Sequence, residues 1–495
     1  MMGRQPAPQE NLFHYGINLD KRIRENHPLR KINELIDFDF TYELVKDRYG
    51  CNGNVSLPPP VILKLILLLL LYNVRSEREL MDTLPERLDW LWFLGFNMDS
   101  TIPNHSVLSK ARRRWGTDVF KTFFERVVWQ CVESGLVDGS KIFVDSSLVD
   151  ADASNNSVVD TESLKRHLNK SYRELEKRLE ESETDEDSPD GPGPHSKVNK
   201  RYVSTTDPDA SIVRRGGPKL RYQAHRAVDP KAEVITATEV TPGDVNEAHR
   251  MVPLMDGHQE NTGIKTETVV ADSKYGTIDN LLTCKDRDVK PHMPTVRDKT
   301  AGTSSQAGIF PYTSFIYDKA TDTYRCPAGK RLKRKSLHKK RDSIDYAAPR
   351  ITCAACELRP QCTRNKMGRT VKRHLRHDDI EAMMDVARSS QSKKDIHTRQ
   401  HLMERSFARG GRHGMKRARW RGLWRLRIQE YLTATVQNIE TLIRYGSSKA
   451  PLAMACEVQA LNRAINGPIK AVLTLCLVWR ELLSGIWQYS TPCKP

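Results

Sequence analysis

The chain has 495 residues, 79 Lys/Arg against 62 Asp/Glu for a net charge of +17, and a hydrophobic fraction of 38%. That is apolar material for two or three cores; it excludes wholesale disorder, and the positive excess points to a polyanionic partner, nucleic acid before a membrane surface. The most apolar run, Val61–Leu71, carries Lys64 and falls well short of the ~20 residues a membrane span needs. The first residues lack the apolar stretch of a secretory signal, and ten cysteines are too few for a disulfide scaffold, so a soluble chain in a reduced interior is expected.

Residues 1–30 are polar and read as a loosely held arm. Residues 31–135 read as a compact helical domain. Leu57-Pro-Pro-Pro60 signals a helix start, Val61–Val74 a buried helix, and Ser76–Leu84 and Leu88–Leu94 shorter ones. Asn104–Trp115 reads as a polar cap and a helix with one basic face. Arg112, Arg113 and Arg114 on that face are candidate DNA contacts, reading guanine edges or holding phosphates, unless the face packs inward.

At Lys141 the period changes. Lys141–Asp145 is a short apolar run ending in an acid, a strand by length and composition. Residues 155–200 form an insertion, where Leu164, Leu168, Tyr172, Leu175 and Leu179 predict an amphipathic helix running into an acidic Pro/Gly linker. Tyr222–Ala227 and Glu233–Thr241 predict a hairpin turned by Asp229-Pro-Lys-Ala. Lys265–Asp272 is a second strand ending in an acid, followed by a helix over Ile278–Cys284 and a strand over Lys290–Val296. Residues 300–395 form a polar insertion holding clustered cysteines. From Lys393 to Tyr445 the pattern is helical, basic and then amphipathic. Residues 446–495 are an extension with no assigned role, and Ala471–Trp479 within it is too short to span a bilayer.

Asp145 and Asp272 each place a carboxylate at the end of a β run, where sheet-based active sites gather side chains. Glu404 lies on a helix, and nine Lys/Arg with no acid follow it between Arg405 and Arg427. Alone, Glu404 reads as an ion-pair partner. Converged, the three acids are hard oxygen ligands suited to Mg²⁺ or Mn²⁺, and two such ions support in-line phosphoryl transfer with the basic helix on the DNA backbone. Asp150 and Asp152 rival Asp145 but lie beyond the apolar run, in an expected loop. Asp207 and Asp209 read as turn residues or as catalytic acids. Trp420 and Trp424 read as a core stripe or as a base-stacking pair.

Cys326, Cys353, Cys356 and Cys362 supply one C-x₂-C pair and two outlying thiols. They read either as one structural Zn²⁺ site or as unligated thiols. The run from Lys330 to Arg341 beside them reads as a solvated face or a phosphate grip.

Several segments together resemble one family. They are Lys141–Ser154 (KIFVDSSLVDADAS), Ser204–Ala210 (STTDPDA), Tyr222–Asp229 (YQAHRAVD), Val269–Gly276 (VVADSKYG) and Met403–Phe407 (MERSF) ahead of Arg417–Leu426, with Pro103–Arg112 (PNHSVLSKAR) in front. In this order they resemble the DDE transposases of prokaryotic insertion sequences, in the IS-four/IS-five superfamily and closest to the IS eleven-eighty-two group. The resemblance runs from about residue 30 to 445. It implies an α+β multidomain chain: a helical N-terminal domain (31–135) for DNA binding or dimerisation, then an RNase H-like α/β catalytic domain (136–445) carrying the two insertions. It also implies Asp145, Asp272 and Glu404 as a Mg²⁺-binding triad, and metal-dependent cleavage at transposon ends with strand transfer into target DNA. The implied partner is double-stranded DNA, bound by a homodimer and not by a membrane protein, in a prokaryotic cytoplasm at the nucleoid. The family's Y–R–E–K signature is imperfect here: Arg399 stands one place from the expected Arg position, Gln400, and Gly411 takes the expected Lys position. Arg409, Arg412, Lys416 and Arg417 are candidate phosphate contacts in their place. The alternative is a non-catalytic DNA-binding protein, either a regulator or a decayed or domesticated transposase.

Overall fold

The computed structural model describes residues 2–3, 18–50, 55–161, 199, 201–295 and 308–446. The helix expected over Leu164–Leu179, its linker and the apolar Ala471–Trp479 lie outside them. Among the described residues, no helix is long and apolar enough to cross a membrane.

The first part is helical, as the periodicity predicts: α1 (Leu19–Arg22), α2 (Pro28–Leu35), α3 (Phe40–Val45), α4 (Pro59–Leu71), α5 (Glu77–Thr83), α6 (Leu88–Leu94), α7 (Ser106–Trp115) and α8 (Asp118–Glu133). Proline at its first turn starts α4, and its residues from Pro59 to Leu70 are buried except Lys64. The Lys64 ammonium donates to the Phe93 carbonyl at 3.1 Å and lies 5.0 Å from the Phe38 and Phe93 rings. Burial pulls its pKa down to about 8.

The central sheet follows. Its strands are β1 (Lys141–Asp150), β4 (Ser211–Val213), β5 (Lys219–Asp229), β6 (Val234–Pro242), β7 (Thr268–Val270) and β8 (Lys290–His292); β2 (Val158–Asp160) and β3 (Tyr202–Ser204) pair separately. The order is β6-β5-β1-β7-β8, with β4 also on β5. β5 and β6 are the expected hairpin and run antiparallel to their neighbours, whereas β1, β7 and β8 are parallel. Helices α9 (Met251–Thr262) and α10 (Ile278–Arg287) cross between them. One expectation needs correcting. β1 does not stop at Asp145 but continues to Asp150, because β5 pairs with it over Phe143–Asp150 after β7 has ended.

The Cys-containing segment is folded. Its strands β9 (Ile316–Asp318), β10 (Thr323–Arg325), β11 (Arg331–His338), β12 (Ser343–Ala347) and β13 (Thr370–His374) form a five-stranded antiparallel sheet. Two short helices, α11 (Arg350–Ala354) and α12 (Arg359–Cys362), lie between β12 and β13. Helix α13 (His377–Arg388) then returns to the central sheet, where Ile380 and Met384 bury against Leu281 of α10.

Helices α14 (Ser390–Arg412) and α15 (Leu423–Tyr445) follow as the last helices of the described residues. Four residues of α15 (Ile428, Leu432, Val436 and Ile439) belong to the same buried cluster as α4 and α8, while its Ala434 packs with Phe143, Val228 and Val270 of the sheet. One helix thus serves both cores. Its tie to the sheet is ionic as well: fully buried Arg226 of β5 donates to Glu430 of α15 at 2.6 Å, and Thr238 of β6 donates to the same oxygen at 3.0 Å.

Removing one partner of a buried pair strands the other charge. Glu430→Ala should therefore cost about 3–5 kcal/mol in urea unfolding, whereas replacing both Arg226 and Glu430 with apolar residues should recover much of that loss.

Candidate metal centre

The site grows from the register of β1 and β7. Phe143 pairs with Val270, the last residue of β7. Two residues further along each chain stand Asp145, still in β1, and Asp272, just past the end of β7. Equal offset from a paired position puts both side chains on the same side of the pleat. Beyond β7 the chain turns: the Asp272 carboxylate accepts from the Lys274 amide at 2.9 Å, and the Tyr275 amide donates to the Asp272 carbonyl at 3.2 Å.

A third acid reaches the same point from the far end of the hairpin. Glu247 opens a 3₁₀ turn, Glu247–Arg250, capped by the Asn246 side chain. Asp145, Glu247 and Asp272 each offer a carboxylate oxygen, and the three oxygens lie within 4.8 Å of one another. Sequence reasoning missed Glu247, since it belongs to neither a periodic run nor a strand end. The Lys274 ammonium pairs with it. The phenol of Tyr275 is fully buried beside the Ser146 side chain. Burial, with the charges of Glu247, Asp145 and Asp272, holds its pKa well above the usual value. The set is one of hard oxygens, the donor chemistry Mg²⁺ and Mn²⁺ take, with water and substrate phosphate completing the shell.

Burial pushes the Asp145 carboxyl above the usual carboxylate range, and the Asp272 charge adds to the rise; the Arg399 guanidinium and the Ser146 amide oppose it. Arg399, from α14, reaches Asp145 at 2.5 Å. Glu404 lies outside the cluster. It stands on the same helix five residues later, about 140° around the axis from Arg399, and its exposed carboxylate accepts from Gln400 at 3.4 Å.

The candidate DNA contacts divide. Arg112 is buried and ion-paired with Glu77, its guanidinium 3.9 Å from the Trp420 ring centroid, so a phosphate contact is replaced by a role in domain packing. Arg409 is half-buried against Glu233 at 3.3 Å and Thr441 at 3.2 Å. Arg113, Arg114, Arg412, Lys416 and Arg417 are exposed, Arg417 pairing with Asp152 at 3.1 Å. Asp150, rather than lying in a loop, ends β1 and binds Arg221 at 2.8 Å. Asp207 and Asp209 hold the start of α15, accepting from the Gly422 and Leu423 amides at 3.1 and 2.7 Å. Trp420 and Trp424 pack against the helical core, as the stripe reading has it. Cys326, Cys353, Cys356 and Cys362 line one pocket of the insertion.

Two family models match the chain. Residues 17–114 match a transposase domain (DUF772), and residues 325–443 match a transposase DDE domain. No curated protein and no solved structure shows a significant match. The second match spans the cysteines, Arg399, Glu404 and α15, and leaves Asp145 and Asp272 to the geometry. Together the matches support a DDE transposase, and with it DNA as partner and use of a divalent metal.

Mn²⁺ titrated into the purified chain and followed by electron paramagnetic resonance should bind, and Asp145→Asn or Asp272→Asn should weaken that binding about tenfold or more, since each removes one of few charged ligands.

Proposed function

We propose that the chain is an active DDE transposase of the IS-four/IS-five type, which binds transposon ends as a homodimer, cleaves the DNA there and joins the freed strand to target DNA. The observation that carries this reading is the meeting of Asp145, Asp272 and Glu247 beside the end of β7. The strand order supports an RNase H-like catalytic domain, with an antiparallel β6-β5-β1 unit continued by parallel β7 and β8. A nucleoid location in a prokaryotic cytoplasm belongs to the same reading.

Asp145 and Asp272 are the residues that would hold the metal, with Glu247 or Glu404 as third acid. When bound, a divalent ion supplies charge stabilisation to a phosphoryl transfer. The protein's own groups do the rest. The Asp272 turn orients its carboxylate through the Lys274 amide, and Arg399 steadies Asp145. Exposed Arg412, Lys416 and Arg417 lie along the stretch that links α14 to α15, where cations can hold a DNA backbone. Exposed Arg113 and Arg114 give the helical domain a second basic site. A second reading, a DNA-binding relative without catalysis, is favoured by one feature only: Glu404 stands apart from the other acids.

The test uses the full chain, Mg²⁺ and a duplex carrying the inverted repeat that flanks its reading frame. Asp145→Ala and Asp272→Ala should each slow end cleavage by about 10²-fold or more while end binding persists, because phosphate contacts supply most affinity. Comparing Glu247→Ala with Glu404→Ala identifies the third acid. Near-normal cleavage by either Asp variant would remove the reading; specific binding without cleavage by the unaltered chain would establish the second one.

A further inference from the structure

We propose that Cys326, Cys353, Cys356 and Cys362 bind one structural Zn²⁺ that holds the β9–β13 sheet together. The four residues are separated by up to 36 positions yet line a single pocket. One turn and two short helices bring them there. Cys326 follows β10 in a tight hairpin turn, closed by the Gly329 amide to the Cys326 carbonyl at 2.8 Å and the Cys326 amide to the Lys330 carbonyl at 2.9 Å. Gly329 takes a positive φ of 73° there. Cys353 lies within α11, Cys356 just beyond it, and Cys362 at the end of α12.

The loop before β13 is shaped around one of these sulfurs. Gly368 has a φ of 95°, and a Cβ built on it would stand 3.0 Å from the Cys353 Cβ and Sγ, a tight contact on top of a left-handed backbone. Among the described residues that line the pocket there is no His, Asp or Glu, and the four cysteines are its metal-binding groups. Lys330, Arg359 and Arg369 are part of its wall. Four thiolates around Zn²⁺ carry a net charge of 2−, and three neighbouring cations complement it.

The sheet also has a small core. Its buried residues are Phe315, Tyr324, Leu332, Tyr346 and Val371, with Phe310, Tyr317 and Ile344 among those packed partly buried against them. Small units with so little buried apolar surface need a metal or disulfides, and a Cys₄ zinc site contributes folding energy outright. None of the four thiols is in a disulfide. No three of their sulfurs lie mutually within 4.8 Å, so Zn–S bonds of ~2.3 Å would require them to move closer by side-chain rotation. The role is structural, because four thiolates leave no coordination position for water. A sheet so held would present Arg331, Lys333, Arg334 and Lys335, all exposed on β11, in one fixed array.

The full chain, purified without chelator and dialysed, should contain about one zinc per molecule by elemental analysis, released by a mercurial thiol reagent. The Cys353→Ser/Cys356→Ser variant should lower the zinc content about tenfold or more. Should that variant fail to fold, Co²⁺ exchanged into the unaltered chain decides, with an intense thiolate-to-cobalt charge-transfer band and tetrahedral d–d bands expected. Absence of both zinc and the cobalt spectrum overturns the proposal. So does zinc retained in the double variant, or a disulfide among the four cysteines in protein prepared under reducing conditions. Loss of zinc with Asp145 and Asp272 intact tests this site apart from the carboxylate cluster.

Discussion

Everything at the carboxylate site follows from the unequal lengths of the two strands beside β1. β7 accompanies β1 for three residues and stops at Val270, while β5 follows β1 to Asp150. Asp145 therefore pairs its backbone with β5 on one edge only. Were β7 two residues longer, Asp272 would enter the ladder directly opposite Asp145, where facing like charges destabilise a sheet. Ending the strand and starting a turn instead lets Asp272 find the Lys274 amide. Burial is the main cause of the raised Asp145 pKa, with the Asp272 charge adding to it, and Arg399 opposes the rise, while Lys274 pairs with Glu247.

Helix α15 makes the sheet and the helical domain a single packed body. It enters both hydrophobic clusters, and Arg226 links it through Glu430 to β5 while also donating to Ser406 of α14 at 3.2 Å. A second joint forms ahead of α15, where Trp420 lies under Arg112 and donates to Glu77 at 3.1 Å. Exposed bases on α7 are thereby held in register with the stretch from Arg412 to Arg417.

The parts legible in the sequence are those that depend on local pattern. The apolar stretch of α4, the β5–β6 hairpin and the acids Asp145 and Asp272 that follow apolar runs all announce themselves within about ten residues. What stayed hidden depends on contacts distant in the chain. Glu247 is one acid among many until the hairpin brings its 3₁₀ turn back to β7. Arg112 looks no different from Arg113 and Arg114, and only Glu77 and Trp420 bury it. The true end of β1 was hidden because the Ser146–Asp150 stretch owes its extended form to pairing with β5, not to its own apolar content.

Helix phase governs the place of Glu404 in the same way. Bringing its carboxylate to Asp145 by rotating α14 would mean a turn of about 140° from the position Arg399 now holds. That turn would carry Leu402 and Met403 out of the cluster they share with Phe143 and Val270, at roughly 1.5–3 kcal/mol for each side chain exposed. It would also withdraw Ser406 from buried Arg226. These costs fall on the residues that seat α14 against the sheet, whereas Glu247 already stands beside both aspartates without any movement. As third acid, Glu404 therefore depends on a longer reach from the present helix phase or on a changed one, and the local packing favours the hairpin's carboxylate.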